Sequence, residues 1–204
     1  MVADIENVFK FAFKDKNWII KMLIGGVLAI IPVVNFIVFG YVLKVLKDAK
    51  EGKEARLPEW EDFGALFKDG LTVFIIVLAY ALIICIIWLI GILISIIPVI
   101  GCLSLLLFPI LIAALILIPP AANISLCRYL DKGTIKEALK LKEVLEEFKS
   151  KFSDYLMVTL INAAIGLIAS VTFCLAPFIY FWLWLITARL FGEIYGTRPT
   201  KFSI

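Results

Sequence analysis

The chain of 204 residues contains no histidine. That removes the commonest metal ligand and the one side chain whose ordinary pKa suits proton transfer at neutral pH. Cysteine is sparse too: Cys85, Cys102, Cys127 and Cys174 form no C-x-x-C pair and lie in apolar segments, where a thiol acts as a small hydrophobe. Cys102 and Cys174 each fall near a proposed outer turn, so a disulfide between them is the alternative to isolated thiols. No metal or cofactor is expected. Net charge is small, +3 from 20 basic and 17 acidic residues with the signs interleaved, which gives no footprint for nucleic acid. Charge is absent altogether from residues 22–43, 71–127 and 155–188. No triad, P-loop or zinc motif is present. No histidine, lysine or carboxylate lies within those blocks to activate a nucleophile, so the chain is not expected to be an enzyme.

What remains is hydrophobic. Such residues make up 63% of the chain, with mean hydropathy +1.04, against about 45–50% in soluble domains. The charge-free blocks are 22, 57 and 34 residues long, and about 20 helical residues cross a bilayer core. The expected fold is all-α: a polytopic helical membrane protein, with helical hairpins turning at prolines and amphipathic helices on the cytoplasmic face. Residues 1–204 read as one membrane domain. The first apolar run begins near Met22, is too long for a signal peptide and has no small-residue cleavage site after it, so the whole chain reads as mature protein.

Residues 4–13 place Ile5, Val8, Phe9, Ala12 and Phe13 on one face of a short interfacial helix. Trp18, flanked by Lys14, Lys16 and Lys21, suits the headgroup level. Residues 18–50 are apolar but interrupted at Pro32, with Asn35 able to start a new helix. They form either a re-entrant hairpin with short arms or one kinked span. Residues 51–69 are a polar connection in which Pro58 opens a helix with Trp60, Phe63, Leu66 and Phe67 on one face. A long apolar helix at 70–97 precedes Pro98. Another at 99–118 is interrupted at Pro109, and Pro119 and Pro120 then redirect the chain, with 121–132 leaving the membrane. Residues 134–152 form the clearest amphipathic helix. Thr134 and Glu137 make a capping box, and Ile135, Ala138, Leu141, Leu145, Phe148 and Phe152 line its apolar face. The last hairpin joins 154–175 to 177–195 at Pro177. Near its end Arg189 and Glu193 can pair and snorkel. Trp18, Trp60 and Phe148 are the expected interfacial anchors.

A weak internal repeat spans 4–52, 58–133 and 134–196: an aromatic-Lys entry (Phe13-Lys14, Phe67-Lys68, Phe148-Lys149), an apolar helix, a proline turn, then charge and glycine. The basic residues fall in 10–21, 44–68, 128–151 and 189–201. The positive-inside rule therefore places the long connections and the C-terminus in the cytoplasm of a cell-membrane protein. The N-terminus joins them if 18–50 is a hairpin. Small residues recur at i,i+4 in Gly91/Ser95, Asn162/Gly166/Ser170 and Gly192/Gly196. Such stripes allow close helix packing, or line a substrate path with Asn162 as its polar contact. The acidic cluster Glu59, Glu61 and Asp62 reads as a solvated loop, or as a cation or partner-docking site.

The segments FKDKNW at 13–18, IGG at 24–26, IPVVNFIVFGYVLKVLK at 31–47, LPEWEDF at 57–63, RYLDKGTIKEAL at 128–139 and ARLFGEIYG at 188–196 resemble domain-of-unknown-function family 4013 along nearly the whole chain. The resemblance implies an integral membrane protein of archaea or bacteria and transfers no catalytic residue. Two functions stay open: a structural protein interacting with lipid, a membrane partner or a second copy, or a permease or carrier subunit for an apolar or amphiphilic solute.

Overall fold

The computed structural model describes residues 5–96, 107–171 and 175–196. Among these, all regular structure is helical: α1 (Ile5–Lys10), a 3-10 turn (Ala12–Lys14), α2 (Trp18–Ile30), α3 (Asn35–Lys50), α4 (Phe63–Ser95), α5 (Leu107–Lys132), α6 (Ile135–Ala138), α7 (Leu141–Ser150), α8 (Phe152–Val171) and α9 (Ala176–Gly196). Helices α4, α5 and α9, of 33, 26 and 21 residues, are long and apolar enough to cross a membrane. Helices α2 and α8 are apolar but shorter in their described parts.

The chain breaks between α2 and α3, at residues 31–34 around Pro32. Val33 adopts φ +72°, a left-handed conformation that a β-branched side chain rarely takes. The two helices then run antiparallel, as their packing on α9 shows. Gly25 lies under the ring of Phe181 and Gly26 under Phe178, in descending order. On α3, Phe39 meets Trp184, and Leu46 and Ala49 meet Gly192, in ascending order. Helix α3 is also antiparallel to α4, with Gly40 against Leu66 and Gly70 against Phe36. Pairs α4–α5 and α8–α9 are antiparallel too: Tyr80 reaches Ser125, and Tyr155 stacks on Phe191.

Helices α3 and α9 carry the core. Tyr41, Leu46, Ile76, Ile124, Phe181, Leu185 and Phe191 are fully buried. Outer positions on α4 and α5, such as Leu82, Trp88, Leu93, Phe108 and Leu115, remain exposed. Water would not tolerate so large an apolar surface on a monomer, whereas lipid is its natural solvent.

Four local expectations are corrected. Helix α5 runs unbroken through Pro109, Pro119 and Pro120. Pro119 and Pro120 deprive the carbonyls of Leu115 and Ile116 of their helical donors, but Asn123 adds a bond of 2.9 Å to the Pro119 carbonyl and braces that turn. Pro58 opens no helix. Helix α4 starts at Phe63, where the Asp62 carboxylate accepts the Ala65 N–H at 3.1 Å.

Residues 134–152 are not one helix, because the chain leaves helical geometry at Leu139 and Lys140. The capping box does not form: the Thr134 side chain caps nothing, and the Glu137 carboxylate pairs with Lys140 at 2.7 Å instead. The break rotates the apolar face, so that Val144, Glu147 and Phe148 turn inward while Leu141 and Leu145 face out. Pro177 is the second residue of α9, where its missing N–H costs nothing. Pro98 and the Cys102–Cys174 pairing lie outside the described residues, as does the side chain of Ser170.

Candidate functional site at the charged junction

The four charged stretches meet one another in space. Lys21, in the first turn of α2, is 3% exposed. Its ammonium bonds Asp15 Oδ2 at 2.8 Å, Glu59 Oε1 at 2.6 Å and the Leu57 carbonyl at 3.1 Å. Three donors meet three acceptors, so the buried charge is saturated. Trp60 donates its indole N–H to the Lys21 carbonyl at 3.3 Å and stacks on Tyr41 at 4.0 Å. Tyr41 in turn donates to the Pro58 carbonyl at 2.7 Å. The expected interfacial anchor Trp60 is therefore half-buried inside the clasp that holds 57–60. The acidic cluster divides: Glu59 pairs, Asp62 caps α4 and Glu61 is exposed.

The other stretches join through further pairs. Lys50 pairs with Asp131, which also accepts the Tyr195 hydroxyl at 2.9 Å. Lys151 donates to the Ile194 carbonyl. Arg128 pairs with Glu143 and donates to the Glu137 carbonyl at 3.2 Å. Arg189 pairs with Glu193 at 2.6 Å, as its spacing suggests. It does not snorkel: it is 7% exposed and donates to the Lys53 carbonyl at 3.0 Å. The long connections thus lie on one side of the molecule as a single bonded layer.

Two carboxylates of this layer are shifted by their partners. Burial pushes the Asp15 carboxyl up, but hydrogen bonds from Lys21 and the Asn17 N–H, with the Lys21 and Arg56 charges, hold it below the usual carboxylate range. The Arg128 hydrogen bond likewise holds Glu143 low against its desolvation. Neither is poised as an acid or base near neutrality. Among the described residues no three His, Cys, Asp or Glu groups are placed to hold a metal.

The residues singled out from sequence lie apart. Gly91 and Ser95 line an open apolar cleft of about 450 Å³ between α4 and α5 with Trp88, Leu107 and Phe108. The Ser95 hydroxyl folds back onto the Gly91 carbonyl at 2.8 Å. Asn162 is tied to Thr187 of α9 at 2.8 Å, and Gly166 has open space where a Cβ would point. Close helix approach occurs at Gly192 and Gly196, the third pair read from sequence, which meet α3, and at Gly40 and Gly70, which join α3 to α4. Trp18 is half-buried, edge-on to Phe13 at 4.7 Å. Phe148, expected at the interface, is 7% exposed and packs against Phe152 and Tyr155, because the break at Leu139–Lys140 rotates it inward. Asn162→Leu should cost about 1 kcal/mol, the worth of one interhelical hydrogen bond in lipid. Thermal melting in detergent checks this, and a loss above about 3 kcal/mol would show that Asn162 holds more than Thr187.

Sequence reading missed the buried charges Lys21, Arg128, Glu147 and Arg189. For Lys21 a signal existed: it shares a helix face with Gly25, one turn on, which is buried against α9.

Spanning-length apolar helices tied at one side by charged connections define a polytopic helical membrane protein. A family model described as "Protein of unknown function (DUF4013)" matches residues 24–178. The chain belongs to that family. No curated protein matches it, and no solved structure does.

Proposed function

We propose that the protein is a non-enzymatic component of the cell membrane that organises lipid or a membrane partner. Its charged junction faces the cytoplasm, the side to which the charge pattern also assigns both termini. The observation that carries this reading is the convergence of the basic stretches into one layer, the side that the positive-inside rule assigns to the cytoplasm.

On this reading α2 and α3 form a re-entrant hairpin. Their 13 and 16 residues give arms of about 20 and 24 Å, short of a full crossing. The arms of the hairpin pack on α4 and α9, while its turn at 31–33 stays exposed. A carrier is less well supported. Helix α5 does not break at its prolines, and Asn162 is engaged by Thr187 rather than lining a path.

Native mass spectrometry of protein gently extracted from its own membranes tests the proposal. Discrete retained lipids, a stoichiometric membrane partner or a defined homo-oligomer is the expected result. A bare chain that also passes apolar solutes across liposome membranes would overturn it in favour of a carrier.

A further inference from the structure

The outward surface of α7 is not the neutral Lys/Glu face that its sequence suggests. Three of its four nearby carboxylates are engaged within the protein: Glu137 with Lys140, Glu143 with Arg128, and Glu147, buried, with the Tyr155 hydroxyl at 3.3 Å; the fourth, Glu146, is exposed. Lys142 and Lys149 are exposed. They flank Leu145 at i−3 and i+4, so the three share one helix face. On that face Leu141 is 58% and Leu145 51% exposed. At the foot of α8, where the chain turns into its next apolar helix, Phe152 is 48% exposed.

A short helix with leucines outward, lysines beside them and an apolar helix directly following has the form of an interfacial anchor. We infer that α7 docks on the leaflet through anionic phospholipid headgroups, Lys142 and Lys149 meeting the phosphates while Leu141 and Leu145 enter the acyl boundary. The charge complementarity is two lysines against one glutamate: ion pairs neutralise Glu137 and Glu143, Glu147 is buried, and Glu146 stays exposed between Lys142 and Lys149. The inference rests on the lipid-organising reading above and names its lipid class.

The full-length protein in detergent is offered equal phosphatidylglycerol and phosphatidylcholine, and retained lipids are counted by native mass spectrometry. Phosphatidylglycerol should be preferred. The preference should fall more than about fivefold for each lysine reversed in Lys142→Glu and Lys149→Glu, since one cation at an anionic surface is worth about that much and reversal also adds an anion. It should also fade at about 1 M salt, where charges are screened within about 3 Å. Leu141→Gln with Leu145→Gln should lower retention of both lipids. Unchanged melting of each variant shows that the fold is intact. Lipid retained without headgroup preference, or a preference indifferent to both reversals, overturns the inference while leaving the lipid-organising reading in place. Failure to retain any lipid counts against both.

Discussion

Gly70→Ala is expected to dismantle the α3–α4 pair. A Cβ at Gly70 would overlap the Phe36 carbonyl and crowd the Gly40 nitrogen, and one at Gly40 would overlap the Leu66 carbonyl. These obstacles are backbone, so no rotamer change relieves them. Helix α3 cannot retreat, because α9 closes its other side through Gly192 and Gly196, which meet Leu46, Ala49 and Lys50. Overpacking against movable side chains costs about 1–3 kcal/mol. Here the backbones themselves must separate, exposing the core around Val38, Tyr41 and Leu46, and the loss should exceed about 4 kcal/mol. Gly25→Ala meets first the ring of Phe181 and should cost less, since a ring can shift. Gly166→Ala, with nothing within 4 Å, should leave melting unchanged. Melting curves of the three variants in one detergent test the ordering. A Gly70→Ala protein melting within about 2 °C of the parent would show that the helices are not in backbone contact.

The helical content and the spanning segments were legible because a bilayer makes simple demands: long apolar runs, backbone satisfied within each segment, charge at the ends. Pro32 was legible as a break, whereas Pro119 and Pro120 were not. Both patterns put proline amid apolar residues, and only the observed path distinguishes a turn through left-handed Val33 from a helix that continues with Asn123 bracing it. The apolar spacing of 134–152 was real, but two non-helical residues at Leu139–Lys140 shift its phase, so the buried face is centred near Val144 and Phe148 rather than on Leu141 and Leu145. The charged junction was hidden for another reason. Partners lie far apart along the chain: 38 residues separate Lys21 from Glu59, and 136 separate Arg189 from Lys53. Periodicity reports which face is apolar. It carries no information about a lysine whose counter-charges arrive from another loop. The α3–α4 contact was missed likewise, because Gly40 and Gly70 sit on different helices and make no stripe on either.

Lys21→Met should cost about 3 kcal/mol, at the lower end for breaking a buried pair from one side. Methionine fills the space but supplies no donor. Asp15, whose side chain is 11% exposed, and the Leu57 carbonyl then lose their partner, whereas Glu59, at 62%, can turn to water. Glu59→Gln should for that reason cost less than about 1 kcal/mol. Adding Asp15→Asn to Lys21→Met should recover part of the loss by removing the stranded charge. The sign of the pH dependence follows from Asp15, whose folded pKa is held below its ordinary value. Its contribution is complete above the unfolded value of about 3.9 and disappears as pH falls through the lower folded one. The gap between the parent and Asp15→Asn should therefore be full at neutral pH and close in acid, as equilibrium unfolding in detergent at several pH values would show. A gap that persists below both pKa values would mean that Asp15 acts through shape rather than charge. Because the same lysine fixes Leu57, Glu59 and, through its carbonyl, Trp60, the loss should reach beyond one ion pair. It frees the segment that leads into the Asp62 cap and thereby the start of α4, so the charged junction and the spanning helices are expected to melt together rather than in separate steps.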